Sequence, residues 1–285
     1  MRIIRMLDDF AVMVADARSG DVFDSFRRYT EKYPVLFKTV FSGLYMRPLD
    51  ALRPMIENAD FARLLDNGIK NRESGMEQKL IALSEEVAGW YGFDEDYDLY
   101  LGMELGNIGG FVGEPVADRP FMFIGLDQKR TESHFRQLMA HEFNHMVRYW
   151  KIGRGQRFAD IDFTNRVIAE GLAVCGGAFF DGQTFSPEWF ARHNVLTEEQ
   201  FQDLITNETA ICADVRSHFG EPTSSELNSA YLLGSLSADH WQKGYYYGAK
   251  MINSLVEVGY CLNELTVMPA DKIIEAYDRL IDNKK

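Results

Sequence analysis

Residues 138–150 read LMAHEFNHMVRYW, and this stretch decides how the rest of the chain is interpreted. It contains neither proline nor glycine, and apolar side chains flank its two histidines, so it predicts a buried helix. His141 and His145 stand at positions i and i+4, on one face of that helix, where both imidazoles can bind one metal ion. Glu142 lies about 100° further round the helix, within reach of a metal-bound water. The stretch therefore predicts a metal-binding helix.

Zinc is the metal that suits this HExxH pattern. It accepts imidazole nitrogen, takes a tetrahedral shell, and in catalytic sites keeps one position open for water. The alternative is a pair of core histidines whose nitrogens are satisfied by backbone or carboxylate groups, with no metal. We favour a single zinc ion, because composition alone would produce HExxH in only about one such chain in a hundred.

A catalytic zinc ion needs a third protein ligand, which must come from another segment. Lys151 stands six residues after His145, where the extended histidine pattern would have a third histidine. Residues 164–180, TNRVIAEGLAVCGGAFF, predict the next helix, with Thr164 as its N-cap. Glu170 lies within this apolar segment, where an unpaired carboxylate is costly to bury, and it is the predicted third ligand.

The alternative for Glu170 is a salt bridge to Arg148 or Arg166. Glycines follow Glu170, and each weakens a helix by about 1 kcal/mol relative to alanine. They predict a close backbone approach of this helix to the metal-binding helix: Gly171, Gly176, Gly177.

HExxH followed by a glutamate in an EGLA sequence resembles the gluzincin metallopeptidases. The sequences of the motifs are similar to those of the bacterial YjaZ-type predicted zinc-dependent proteases. Three motifs carry the resemblance: AHEFNHMVR at 140–148, IAEGLA at 168–173 and GYYYGAK at 244–250. It covers roughly residues 95–260.

The resemblance implies His141, His145 and Glu170 as zinc ligands and Glu142 as the general base of peptide-bond hydrolysis. One departure concerns the second shell of the metal. Many gluzincins have an aspartate four residues after the glutamate ligand, where it orients a histidine, and Val174 stands there in this chain. The partners that orient the two histidines are therefore unassigned.

An oxyanion formed during hydrolysis needs a second electrophile beside the metal. The resemblance favours the tyrosines of GYYYGAK, and we choose Tyr246 with Tyr245 next. His218 and His240 are further candidates. The alternative is that these aromatic residues simply pack in the core, because three consecutive residues spread over about 200° of a helix.

The segment ahead of the metal-binding helix predicts β-structure. Residues 97–103 and 121–126 are rich in β-forming side chains and are bounded by glycine, proline and aspartate. In zincins the edge strand before the HExxH helix binds extended substrate by backbone pairing. By analogy we expect a peptide near Asn107–Phe111, and the alternative is a surface hairpin without function.

The fold class expected is α+β and predominantly helical, with a zincin-like core. Residues 1–94 are expected to form a helical N-terminal lobe, in which closely spaced aromatic residues pack between helices. Residues 95–285 are expected to form the catalytic region, in which a small β-sheet precedes the HExxH helix and further helices follow.

Composition limits the partners of this chain. Its formal net charge is −13 over 285 residues, which argues against binding to nucleic acids or anionic membranes. No segment reaches the length of apolar sequence that spans a bilayer, and acidic residues interrupt the N-terminus where a signal peptide would be apolar. Three widely spaced cysteines without a CxxC motif favour a reducing cytoplasm, as small buried hydrophobic residues: Cys175, Cys212, Cys261.

The leading functional prediction is a cytoplasmic zinc metallopeptidase that acts on a peptide or protein substrate. The second is a non-catalytic peptide-binding or regulatory protein on the same scaffold. The third is a zinc hydrolase of a non-peptide amide, because the same attack by water serves any carbonyl.

Overall fold

The computed structural model describes residues 1–45, 47–106, 108–113, 118–127, 130–157, 160–232 and 241–283. The chain divides into two compact units, Met1–Glu142 and Phe143–Lys285. The division falls inside helix α7 (Glu132–Lys151), so this one helix runs through both units. The domain boundary expected after residue 94 stays a prediction.

The first unit contains four strands and the helices that precede α7. The strands are β1 (Arg2–Arg5), β2 (Asp98–Gly102), β3 (Gly110–Val112) and β4 (Phe121–Gly125). The helices are α1 (Leu7–Ala17), α2 (Val22–Glu31), α3 (Pro34–Thr39), α4 (Arg53–Glu57), α5 (Phe61–Glu73) and α6 (Met76–Tyr91). A π-helical turn at Val40–Leu44 and a 3₁₀ turn at Leu49–Leu52 lie between α3 and α4.

The strands form one sheet in the order β1-β2-β4-β3. β1, β2 and β4 are parallel, and β3 runs antiparallel to β4 at one edge. Every residue of β2 and β4 is buried, which explains their nearly continuous apolar sequences. The strands predicted at 97–103 and 121–126 are confirmed. The predicted fold class, α+β with mostly helical content, is also confirmed.

The expectation that the lobe over residues 1–94 is helical is wrong at its N-terminus. Arg2–Arg5 forms β1, whose Ile3 is paired in register with Leu99 of β2. A strand of four residues has little periodicity of its own, so its partner almost a hundred residues later decides its conformation.

Aromatic side chains fill the core among the N-terminal helices, as the sequence predicted. Phe26 stacks on Phe61 at 5.5 Å between ring centroids. Tyr29 meets Phe10 and Phe37 edge to face and donates its hydroxyl to the carbonyl of Met103 at 2.9 Å. Such pairs add about 0.5–1.5 kcal/mol each beyond the area that they bury.

The second unit consists of helices packed around α8. These are α8 (Phe163–Phe180), α9 (Pro187–His193), α10 (Glu198–Ser217), α11 (Ser225–Leu227), α12 (Lys243–Glu257), α13 (Leu262–Thr266) and α14 (Ala270–Asp282). A π-helical turn at Asn228–Leu232 follows α11. None of the helices in the described ranges combines the length and the apolar character needed to cross a membrane.

The N-cap of α8 is Asp162 and not the predicted Thr164. The Asp162 carboxylate accepts the backbone N–H of Asn165 at 2.8 Å, so the helix begins at Phe163. Thr164 lies inside the first turn, and its hydroxyl accepts the backbone N–H of Gly220 at 2.7 Å. A tertiary contact therefore uses the hydroxyl that the sequence assigned to capping.

Gly171 allows close approach of two backbones, but to α12 and not to the metal-binding helix as predicted. A Cβ atom on Gly171 would lie 2.1 Å from the carbonyl carbon of Gly248, and one on Gly248 would lie 2.2 Å from the carbonyl oxygen of Val167. The thiol of Cys175, further along α8, donates to the carbonyl of Ala249 at 3.4 Å. The two glycines therefore set how closely α8 and α12 pack.

All three cysteines carry free thiols. Cys175 is buried, as expected, and burial raises the pKa of its thiol far above the usual range. Cys261 is exposed, which differs from the expectation that the cysteines are buried, because it lies at the N-cap of the short helix α13.

Candidate metal centre

Helix α7 carries the three residues of the HExxH motif that the sequence singled out. Glu142 and His145 are buried, and His141 is half-buried. Its twenty residues include no helix-breaking glycine or proline, so the spacing that places His141 one turn before His145 is kept.

Glu170 of α8 lies against His145. The Nε2 atom of His145 and the Oε2 atom of Glu170 are 3.2 Å apart. One ligand atom from each of His141, His145 and Glu170 can be chosen so that all three lie within 4.8 Å of one another. The structure therefore brings together the three metal ligands that the sequence predicted.

The donor set fits zinc. Two imidazole nitrogens and one carboxylate oxygen are the ligand types that zinc accepts, and three protein ligands leave a fourth position for water. Two ligands of a tetrahedral zinc ion lie about 3.4 Å apart, because zinc binds nitrogen and oxygen at about 2.0–2.2 Å. The 3.2 Å between Nε2 of His145 and Oε2 of Glu170 is close to this separation.

Contacts along α7 hold the histidines in place. The ring of Tyr149 is stacked on the ring of His145, with centroids 5.6 Å apart and planes inclined by 6°. Asn144 donates its side-chain N–H to the hydroxyl of Thr266 at 2.8 Å. Arg148 donates to the backbone carbonyls of Thr266 at 3.0 Å and Met268 at 2.9 Å. The segment that begins with α13 thus anchors the same two turns of α7 that carry the motif.

The alternative salt bridge between Glu170 and Arg148 is absent from the described residues, whereas the alternative with Arg166 stays a prediction. The guanidinium of Arg148 is occupied by the two carbonyl groups, and within the described part of the chain it pairs with no carboxylate. Glu170 is instead directed to His145.

Glu142 lies beside the start of the edge strand β3. A Cβ atom on Gly110 would lie 2.8 Å from Cγ of Glu142, so only glycine fits there without displacing the side chain. A Cβ atom on the neighbouring Gly109 would lie still closer to the guanidinium of Arg130. The backbone at Gly110, which carries no side chain, therefore lies against Glu142, the predicted general base.

Arg130 supplies positive charge near Glu142. Burial lowers the pKa of the Arg130 guanidinium, whereas the carboxylates of Asp127 and Glu142 act in the opposite direction. Arg130 was not among the residues that the sequence singled out. Arg130 lies two residues before the helix that carries Glu142. The distance between the two residues in the sequence does not indicate that their side chains lie close together.

Tyr246 is placed in an aromatic cluster of the second unit. Its side chain is buried on α12 beside Phe185, Phe190 and Trp241. Its hydroxyl donates to the carboxylate of Glu208, and burial together with this bond raises its pKa far above the usual range.

The other candidates for the oxyanion donor have different surroundings. Tyr245 is half-buried on the same helix. His218 contacts Glu221 through Nδ1 at 2.9 Å and the hydroxyl of Tyr231 through Nε2 at 3.2 Å. His240 and Asn107 lie outside the described residues.

A family model described as Predicted Zn-dependent protease (DUF2268) matches residues 102–275, more than half of the chain. The chain belongs to this family. The matched residues of the DUF2268 family include α7, α8 and α12, and with them all three predicted metal ligands. No curated protein and no solved structure matches the chain.

Proposed function

We propose that the protein hydrolyses peptide bonds with one zinc ion held by His141, His145 and Glu170, in the manner of a gluzincin. The observation that carries this proposal is the convergence of these three ligands from α7 and α8, within 4.8 Å of one another. The family description as a predicted zinc-dependent protease agrees with it.

Zinc in such a site polarises a carbonyl group and lowers the pKa of a bound water to about 7. Glu142 then accepts the proton of the attacking water and delivers it to the departing amine nitrogen. The guanidinium of Arg130 supplies positive charge beside the carboxylate of Glu142. The ring of Tyr149, stacked on the ring of His145, supports the orientation of this ligand.

The edge strand β3 is the proposed binding surface for an extended substrate. One side of β3 is paired with β4, and β3 is the outermost of the four strands in the described residues. A peptide that pairs with the other side passes near Glu142, because Gly110 lies against this glutamate. The proposed substrate is a peptide or protein in the cytoplasm. The proposed compartment follows from the cysteine pattern and from the acidic residues near the N-terminus of the sequence.

Metal content and activity separate the roles of the motif residues. Glu142→Gln should keep zinc and lose hydrolysis of a peptide library, since the amide cannot accept a proton. His141→Ala should lose both zinc and hydrolysis. The matched control is His193→Ala, which removes an imidazole from the short helix α9. Full turnover by Glu142→Gln would overturn the mechanism.

Chelation separates an enzyme from a binding protein on the same scaffold. An enzyme should lose cleavage of the library on chelation and regain it with added zinc. A non-catalytic peptide-binding protein would retain peptides without cleaving them in either state, and that result would replace the proposed function.

Two conservative variants test the oxyanion donor. Removing one such donor lowers kcat by about 10²–10³-fold. Tyr246→Phe should show this loss if the choice made from the sequence is right. Tyr245→Phe, on the next position of the same helix, is the matched comparison. A loss confined to Tyr245→Phe would assign the role of oxyanion donor to Tyr245. The hydroxyl of Tyr246 would then act only as the hydrogen-bond donor to Glu208.

A further inference from the structure

A cavity of about 350 Å³ lies in the second unit at the C-terminal end of α7. Its walls come from the last turn of α7, the first turn of α8 and the start of α14. This volume lies within the range of sites for small molecules, about 300–1,000 Å³. Exposed residues at its rim, including Ile152, Gln156 and Asp271, open it to solvent.

Arg148 lines this cavity and is only 3% exposed. Its Nη1 atom donates to the carbonyls of Thr266 and Met268. Its Nε and Nη2 atoms make no hydrogen bond with any part of the chain that the structure describes, and no carboxylate there forms an ion pair with it. A buried cation without a counter-charge is costly.

The charge of Arg148 persists in spite of burial. Burial lowers the pKa of its guanidinium to about 10, which still leaves it protonated at neutral pH. The free Nε–Nη2 side of a guanidinium presents two parallel N–H donors with the spacing of a carboxylate. The N-terminal end of α14, which begins at Ala270, adds partial positive charge to the same cavity.

The remaining walls favour an organic monoanion over an inorganic one. Ile152, Ile161 and Pro269 give the cavity apolar surface that suits a hydrocarbon body. Asp271 also lines it and has no ion pair with any described residue, so a dianion would meet uncompensated negative charge. An ammonium group on the ligand would instead be attracted to Asp271.

We propose that this cavity binds a small organic carboxylate, whose two oxygens accept hydrogen bonds from Nε and Nη2 of Arg148. The ligand class is a short-chain carboxylic acid or a free amino acid with an apolar side chain. Tyr149, stacked on His145, forms part of the wall, so the bound ligand contacts a residue that supports the metal centre.

Calorimetric titration of the full-length protein tests this binding without any measurement of hydrolysis. Butyrate and valine should bind, and inorganic phosphate at equal ionic strength should not. Tighter binding of valine than of butyrate identifies an amino acid as the ligand class, and Asp271→Asn should remove that difference. Binding of phosphate alone, or of none of the three, would overturn the proposal.

Two variants locate the ligand. Arg148→Met should weaken binding by about tenfold or more, because both donors of the fork are lost. Ala270→Leu should reduce the space for the ligand and does not alter the side chain of Arg148. It therefore tests the site if Arg148→Met does not fold. Ala276→Leu, a buried alanine of α14 outside the cavity lining, is the matched control. Unchanged affinity in Ala270→Leu would show that the carboxylate binds elsewhere.

Discussion

Asp127 shows how the interior changes the chemistry of a single side chain. It is only 1% exposed, and burial raises the pKa of its carboxyl from 3.8 to about 6. The backbone N–H of Glu104, 3.4 Å from its Oδ2 atom, opposes this shift only in part. The residue follows β4 closely and precedes Arg130, whose charge also acts on it.

This shift predicts a dependence of stability on pH. Because the folded state holds the proton of Asp127 more tightly than the unfolded state, its contribution to stability is largest below pH 3.8 and is lost as the pH rises through about 6. The loss amounts to about 3 kcal/mol at most. Asp127→Asn should flatten the pH profile of the free energy of unfolding between those values and stabilise the protein at pH 7.

Urea unfolding at a series of pH values measures this effect. Asp50→Asn, at an exposed position of the 3₁₀ turn, is the control and should leave the profile unchanged. An Asp127→Asn profile parallel to that of the wild type would show that the carboxyl titrates normally.

At the scale of elements, the helix α8 that carries Glu170 crosses α12 at the residue next to this glutamate. Gly171 and Gly248 meet backbone to backbone, so neither position accommodates a side chain without separating the helices. The EGLA and GYYYGAK motifs each supply one of these glycines. These motifs therefore have a packing role in addition to any role in chemistry.

Gly248→Ala should lower the free energy of unfolding by about 1–3 kcal/mol, as overpacking of a core does. The new Cβ atom would stand 2.2 Å from the carbonyl oxygen of Val167. Gly89→Ala is the matched control, because a Cβ atom there meets nothing within 4 Å in the helical interior of α6. That substitution should stabilise the protein by about 0.5–1 kcal/mol. Equal effects of the two in thermal unfolding would contradict the close crossing.

At the scale of the whole molecule, the proposed metal centre couples zinc binding to folding. The ligands lie on α7 and α8 and come together only in the folded chain. A ligand that binds only the native state stabilises it by RT ln(1 + [L]/Kd), about 2.7 kcal/mol at a hundredfold excess over Kd.

Zinc should therefore raise the Tm of the metal-free protein, measured by scanning calorimetry. Glu142→Gln should show the same rise, since Glu142 is not a ligand, whereas Glu170→Ala should show little or none. An equal rise in Glu170→Ala would exclude Glu170 from the metal shell and would leave only the two histidines.

Local pattern was enough for several features of this protein. The spacing of His141, Glu142 and His145 defines one face of a helix whatever surrounds it, because helical geometry is a property of the backbone. The strands at 97–103 and 121–126 follow from their β-forming side chains and the residues that bound them. The aromatic core of the N-terminal helices follows from the period of its apolar residues. Glu170 was found because a carboxylate in an apolar helix needs a partner.

Only the tertiary structure decided the features whose partners are remote in sequence. The pairing of β1 with β2, the contact of Gly171 with Gly248, the bond from Tyr246 to Glu208 and the cavity beside Arg148 all join distant segments. No local periodicity encodes such contacts, because their free energy arises only when the folded chain brings the two surfaces together. The sequence by itself thus determined which side chains could bind a metal, and the packing of α7, α8 and α12 determined which of them meet.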